Sequence, residues 1–162
     1  VNIIGTSGGA IVALNAGLEA PQLIKKIVAD SFSGEKMPVE LANKTAKMRD
    51  ELKRDPNAAE IWRYFHGGRW QDVLDADTKM IKEFSKKNRS FFHKDLSDME
   101  VPVMLTGSAK DDQIAQMPLL LDHFADKIPT ASKKLFEEGH HPAMMSNVMD
   151  FRGAALNFFE MM

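Results

Sequence analysis

The segment VNIIGTSGGAIVAL, residues 1–14, passes from an apolar run through a glycine-rich turn into a helical pattern. Val1–Ile4 reads as the end of a buried strand. From Gly8 to about Glu19, apolar Ile11, Leu14 and Leu18 recur with alanines between them, the spacing of a helix packed on a sheet. Between the two lies Gly5-Thr6-Ser7-Gly8-Gly9, which fits G-x-S-x-G at a strand-to-helix turn. A serine on so sharp a turn sits in strained backbone and requires small neighbours on both sides. The helix that follows aims its first N–H groups at the serine, and the Gly8 N–H can bind an oxyanion. A plain β–α turn is the bland alternative. A phosphate cradle is another, but neither G-x-G-x-x-G nor G-x-x-x-x-G-K-[ST] is present.

Outward from this turn, Leu23–Phe32 holds a β-branched apolar run that predicts a second parallel strand and so a βαβ unit. From Ser33 to about His93 the character changes to charged, helix-periodic sequence. VELANKTAKMRDELKRD (Val39–Asp55), AAEIWRYFHG (Ala58–Gly67) and DTKMIKEFSKKN (Asp77–Asn88) are the clearest pieces, punctuated by Pro56-Asn57 and Gly67-Gly68. Two to four amphipathic helices are expected there, forming a separate lobe with solvated charged faces. Val101–Thr106 predicts a strand ending in a polar loop, Leu119–Lys127 a short helix, and Lys133–Glu138 a further strand followed by the loop Gly139-His140-His141. Val148, Phe151, Ala155, Phe158 and Phe159 predict a terminal helix over Asn147–Met162, packed on the sheet.

With 162 residues the chain is one domain's worth of sequence, long enough to bury about 70% of its unfolded surface. It is 44% hydrophobic and 27% charged, with a net charge of -2, so no electrostatic footprint points to nucleic acid or an anionic membrane. The absence of cysteine excludes disulfides, thiol catalysis and cysteine-ligated metals, and fits a cytoplasmic location. No His, Asp and Glu set has metal-ligand spacing, and no metal or cofactor is expected. No signal peptide and no stretch of membrane-spanning length is expected either.

A serine hydroxyl is inert without a base and an orienting acid. On this type of turn the partners follow in the order acid, then histidine, at the C-terminal ends of later strands. Asp111 and Asp112 follow the strand Val101–Thr106, and His140 and His141 follow the strand Lys133–Glu138. All three features therefore fall on one edge of a parallel sheet, where open α/β folds place their sites.

The pieces IIGTSGGAIVALNAGLEAPQLIKKIVADS, VPVMLTGSAKDDQI and FEEGHHPAMMSNVMDF resemble the C-terminal two-thirds of an α/β-hydrolase superfamily member, of the esterase-like type with a helical cap. The resemblance implies a partial α/β-hydrolase fold, a mostly parallel sheet flanked by helices. The core would be 1–32 and 94–162, with a helical cap inserted at 33–93. It implies Ser7 as nucleophile, an Asp of the Asp111-Asp112 pair as acid and a His of the His140-His141 pair as base, with Gly8 in the oxyanion hole.

Both pairs stay open. Ile114 sits where the apolar residue after the acid belongs if Asp111 is that acid, which favours Asp111 over Asp112. A Gly-His sequence favours His140, whereas His141-Pro142-Ala143-Met144 and the ten-residue distance from His141 to Phe151 favour His141. Asp30, at the end of the second strand, is an alternative acid position. Thr6, Trp62 and His66 are candidates for the substrate pocket; packing between cap helices is the plainer role for Trp62 and His66.

The function implied is hydrolysis of an ester or related acyl substrate through an acyl-enzyme; a serine at this position argues against dehalogenase or epoxide hydrolase chemistry. In the resembled fold several strands precede the nucleophile strand, and a loop among them supplies a second oxyanion N–H. The Val1–Ile4 edge is therefore expected to pair with a second copy of the chain or with a complementing N-terminal segment. The alternative is a truncated, non-catalytic α/β-hydrolase fragment or binding module that needs a partner chain to complete its sheet.

Overall fold

Period-two alternation along the strands places apolar side chains on both faces of a parallel sheet. In the computed structural model, which describes residues 1–114 and 116–161, the strands are β1 (Asn2–Thr6), β2 (Lys26–Asp30), β3 (Val103–Ser108) and β4 (Ala131–Phe136). They lie in the order β1-β2-β3-β4, every neighbouring pair parallel. Ile27, Ala29, Val103 and Leu105 face one core cluster, which also holds Leu14, Leu18, Leu121 and Phe124. Those partners come from α1 (Gly8–Glu19) and α5 (Met117–Lys127), which cover that face. Val28 and Met104, of the opposite parity, meet Phe136, Phe151, Ala155 and Phe158 in a second cluster. There α7 (Val148–Glu160) covers the other face, behind the single turn α6 (Ala143–Ser146). The result is a three-layer α/β/α arrangement. Each fully buried Leu, Ile or Phe in it contributes about 1.5–3 kcal/mol.

The two sheet edges differ in chemistry. At the outer edge, β4 carries Lys133 and Lys134, both exposed; charged residues of this kind discourage edge-to-edge pairing. At the other edge β1 pairs with β2 and, among the described residues, with no other strand; it carries no charged residue. Ile4 on this strand is 45% exposed.

The chain divides into two compact units, Val1–Glu35 with Phe91–Met162, and Lys36–Ser90. The second contains α2 (Val39–Leu52), α3 (Pro56–His66) and α4 (Trp70–Lys86) and no strand among its described residues. Within it, Arg49 holds α2 to α4 through Asp77 (2.6 Å) and Thr78 (3.0 Å). Pro56 begins α3 instead of breaking the chain before it, because Asp55 caps the Asn57 N–H (2.9 Å) and proline suits the first helical position. Similarly α4 starts at Trp70, seven residues before the periodic pattern predicts. Buried Trp70, Leu74 and Ile81 define its inner face, and the intervening Asp72, Asp75 and Asp77 hide that pattern. The short α6 was not predicted, and Met162 of the expected terminal helix lies outside the described residues. Among the described residues no helix is long and apolar enough to cross a membrane.

Candidate active site

The turn after β1 holds Ser7 at φ 53°, ψ -122°, a left-handed region that costs about 1–3 kcal/mol for a residue other than glycine. Its N–H is tied to the Asp30 carbonyl of the neighbouring strand at 2.8 Å, so the strand register over-determines the turn. Gly5 is required by close approach: a Cβ there would lie 2.3 Å from the Gly9 carbonyl oxygen. The expectation of obligatory small residues on both sides of Ser7 is corrected on the other side. A Cβ on Gly8 or Gly9 would meet nothing within 4 Å, because α1 leaves the turn into open space there. Gly8 opens α1, where the first N–H groups of a helix have no partner within it.

Beyond β3, Ala109 donates to the Phe136 carbonyl at 2.7 Å and Asp111 to that of Ser108 at 3.1 Å. This closed turn aims the Asp111 side chain across the sheet edge. Asp111 Oδ1 accepts the N–H groups of Gln113 (2.9 Å) and Ile114 (2.7 Å), while Oδ2 lies 2.9 Å from His141 Nδ1. Ile114 itself is buried in the core and anchors the loop. Burial pushes the Asp111 carboxyl up. The His141 ring and the N–H groups of Ile114 and Gln113 outweigh that, holding it below the usual carboxylate value.

Gly139, at φ 104°, starts the loop after β4. Asn147 clamps this loop, donating to the Glu138 carbonyl at 3.0 Å and to Ser108 Oγ at 3.1 Å. Ser146 Oγ donates to the His140 carbonyl at 2.7 Å. His141 Nε2 then stands 3.0 Å from Ser7 Oγ. Asp111 can only accept, so Nδ1 carries the ring proton and Nε2 is left to accept the Ser7 hydroxyl. The Asp111 side chain is fully enclosed and that of His141 is 7% exposed. The arrangement can move a proton from Ser7 to His141 while a buried carboxylate balances the charge that develops on the ring.

Of the candidate residues, Ser7, His141 and Asp111 are brought into one hydrogen-bonded line. Asp112 takes another part of the same histidine: its Oδ1 accepts the His141 main-chain N–H at 2.9 Å. Asp30 is wholly buried, and its oxygens are taken up by Thr6, Thr106, Ser31 and Met144. The Thr6 hydroxyl is thus engaged with Asp30 at 2.8 Å. Trp62 and His66 lie in the second unit, where their rings stack at 5.4 Å between centroids. The roles of Asp112 and Asn147 as loop clamps had no signal in the sequence, because each contact joins segments defined only by the sheet.

No family model matches the chain, and no curated protein matches it significantly in sequence. Solved structures do match. NosK from Streptomyces actuosus superposes with a TM-score of 0.73 at 17% identity, over 98% of this chain and 68% of that one. The meta-cleavage product hydrolase of Pseudomonas fluorescens IP01 gives 0.70 at 14% identity, over 98% of this chain and 64% of that one. The esterase EaEST from Exiguobacterium antarcticum gives 0.68 at 14% identity, over 99% and 67% respectively. Two further matches are α/β-fold hydrolases. The chain therefore has the α/β-hydrolase fold. It spans about two thirds of the length of these neighbours.

Proposed function

We propose that the protein is a serine hydrolase acting on an ester or related acyl substrate. The observation that carries this reading is the line Ser7 Oγ–His141 Nε2 (3.0 Å) and His141 Nδ1–Asp111 Oδ2 (2.9 Å). In the proposed reaction, Ser7 Oγ bonds to the acyl carbon while its proton passes to His141 Nε2. The carbonyl oxygen takes the negative charge and faces the Gly8 N–H at the start of α1. The tetrahedral adduct expels the alcohol, which receives the proton from His141, leaving Ser7 acylated. Water then gives a proton to His141 and releases the acid by the reverse sequence. Asp111 keeps the imidazole in the required tautomer throughout. The esterase and hydrolase names among the structural neighbours support hydrolysis as the class of reaction.

A fluorophosphonate probe tests the proposal: stoichiometric labelling of folded protein, lost in Ser7→Ala, is the expected result. Absence of labelling in folded wild-type protein overturns it.

One observation favours a second reading, in which the chain completes its sheet with another strand. The uncharged edge of β1 contrasts with the lysine-guarded edge of β4. In this reading a second copy or a complementing N-terminal segment pairs along Val1–Ile4, and the chain serves as a non-catalytic module until it does. A protein that is monomeric in light scattering, with fast amide exchange along β1, removes this reading.

A further inference from the structure

The register places Thr6 of β1 opposite Asp30 of β2, and Asp30 opposite Thr106 of β3. Three polar residues thus stand side by side across three strands at the C-terminal edge of the sheet. A one-residue slip would turn each of them to the other face. Asp30 is the centre of the row and is 0% exposed. Its Oδ1 accepts the Thr106 hydroxyl at 2.7 Å and the Ser31 hydroxyl at 3.2 Å. Its Oδ2 accepts the Thr6 hydroxyl at 2.8 Å and the Met144 N–H at 3.0 Å. Four donors fill the four lone-pair sites of one carboxylate, and among the described residues no buried side-chain polar atom is left unpaired.

The partners of this carboxylate lie on both sides of the proposed proton-transfer pair. Thr6 immediately precedes Ser7, and the Asp30 carbonyl holds the Ser7 N–H. Met144 lies three residues after His141. Ser31 doubles the link, since its Oγ accepts the Ala143 N–H at 2.9 Å. Ser31 is itself held at φ 52°, matching Ser7 at φ 53° on the adjacent strand end. Two left-handed residues at neighbouring strand ends, Ser31 bonded to the Asp30 carboxylate and Ser7 to the Asp30 carbonyl, form a frame between the serine turn and the histidine loop. A single oxygen, Oδ2, ties the serine turn through Thr6 and the histidine loop through Met144, a placement that a purely stabilising buried acid does not need.

We infer that Asp30 is a positioning residue for the Ser7–His141 pair, acting through Thr6 on one side and through Ala143 and Met144 on the other. It neither touches the reacting atoms nor serves as the acid, since the His141 ring proton faces Asp111. This inference rests on the serine hydrolase reading above.

Asp30→Asn keeps the size of the side chain but places an amide where one oxygen now accepts two donors: at Oδ2 it removes the acceptor of both Thr6 and Met144, and at Oδ1 that of Thr106 and Ser31. Misplacement on the ångström scale costs roughly 100-fold in such reactions. The expected result in folded Asp30→Asn protein is fluorophosphonate labelling slowed about 10- to 100-fold. With p-nitrophenyl acetate the loss should fall in kcat, with KM within about threefold of wild type. Thr106→Val is the control, because it removes an Asp30 partner that belongs to neither flank. It should lower the melting temperature yet label within about twofold of wild type.

Labelling of folded Asp30→Asn at the wild-type rate, or equal slowing in Thr106→Val, overturns the inference. If Asp30→Asn does not fold, Ser31→Ala decides on the same criteria. A readout independent of turnover is the far-downfield proton of His141 Nδ1 in the NMR spectrum. Its presence in wild type and its loss or broadening in folded Asp30→Asn supports positioning even if wild-type protein fails to label, an outcome that overturns only the hydrolase reading. Its absence from wild type, or persistence in Asp30→Asn, overturns the positioning role.

Discussion

Asp112 accepts the main-chain N–H of His141 at 2.9 Å, so the two adjacent aspartates divide one histidine between them. Asp111 takes the ring and Asp112 the backbone. Their substitutions should therefore differ in kind. Asp111→Asn presents a donor to Nδ1 and favours the wrong tautomer, an error that costs about 10,000-fold in kcat for a serine triad. Asp112→Ala loses the charge-assisted bond to the His141 N–H, worth roughly 1.5–3 kcal/mol. Its activity should fall only about 10- to 100-fold. Burst and steady-state kinetics on p-nitrophenyl acetate compare the two, and equal losses would refute this division of labour.

The histidine pair separates in the same way. His141→Gln should abolish fluorophosphonate labelling, with a loss of at least about 1,000-fold. In His140→Ala the loop retains the Ser146 bond, because that bond uses the residue-140 carbonyl. Its labelling rate should stay within about fivefold of wild type. Competitive labelling of the two variants in one mixture provides the measurement.

The glycines of the opening turn carry an asymmetric prediction. Gly5→Ala forces a Cβ to within 2.3 Å of the Gly9 carbonyl oxygen, and relief requires α1 to move off the strand. Overpacking of this kind costs about 1–3 kcal/mol or more. Gly9→Ala meets open space and gains helix propensity, about 0.8–1 kcal/mol in favour of the variant. Urea unfolding should place the midpoint of Gly5→Ala well below wild type and that of Gly9→Ala at or above it.

The Asp111 carboxyl yields a prediction in acid. Its folded pKa is held below the usual carboxylate value, so folded protein binds fewer protons than unfolded protein as the pH falls through this range. The stabilisation is present above about pH 4 and is lost as pH drops through the folded pKa. The melting temperature of wild type should therefore fall more steeply below pH 4 than that of Asp111→Asn. Parallel curves for the two proteins would contradict the assignment.

Much of the sheet's layout follows from short-range signals. The alternation of Ile27, Val28 and Ala29 and the periodicity of α1 are local, and they mark strand and helix without reference to the rest of the chain. The G-x-S-x-G turn is local as well, since a sharp strand-to-helix junction restricts which residues fit. Where acidic residues interrupt a helical face, as in α4, the local pattern is diluted and the predicted start is late.

What the sequence by itself determined, then, is the order of the chemical groups: a serine turn, an acidic loop and a histidine loop, each directly after a strand. It left Asp111 beside Asp112 and His140 beside His141 undivided. Neighbours in sequence share composition and loop, and differ only in the direction their side chains leave the backbone. Only the tertiary structure decided which of each pair meets the other. That direction depends on β3 and β4 being adjacent, on Ile114 anchoring one loop, and on Asn147 and Ser146 clamping the other. The same holds for Asp30. Its place between the serine turn and the histidine loop arises from the register of three strands, and contacts spanning 114 residues leave no trace in any local pattern.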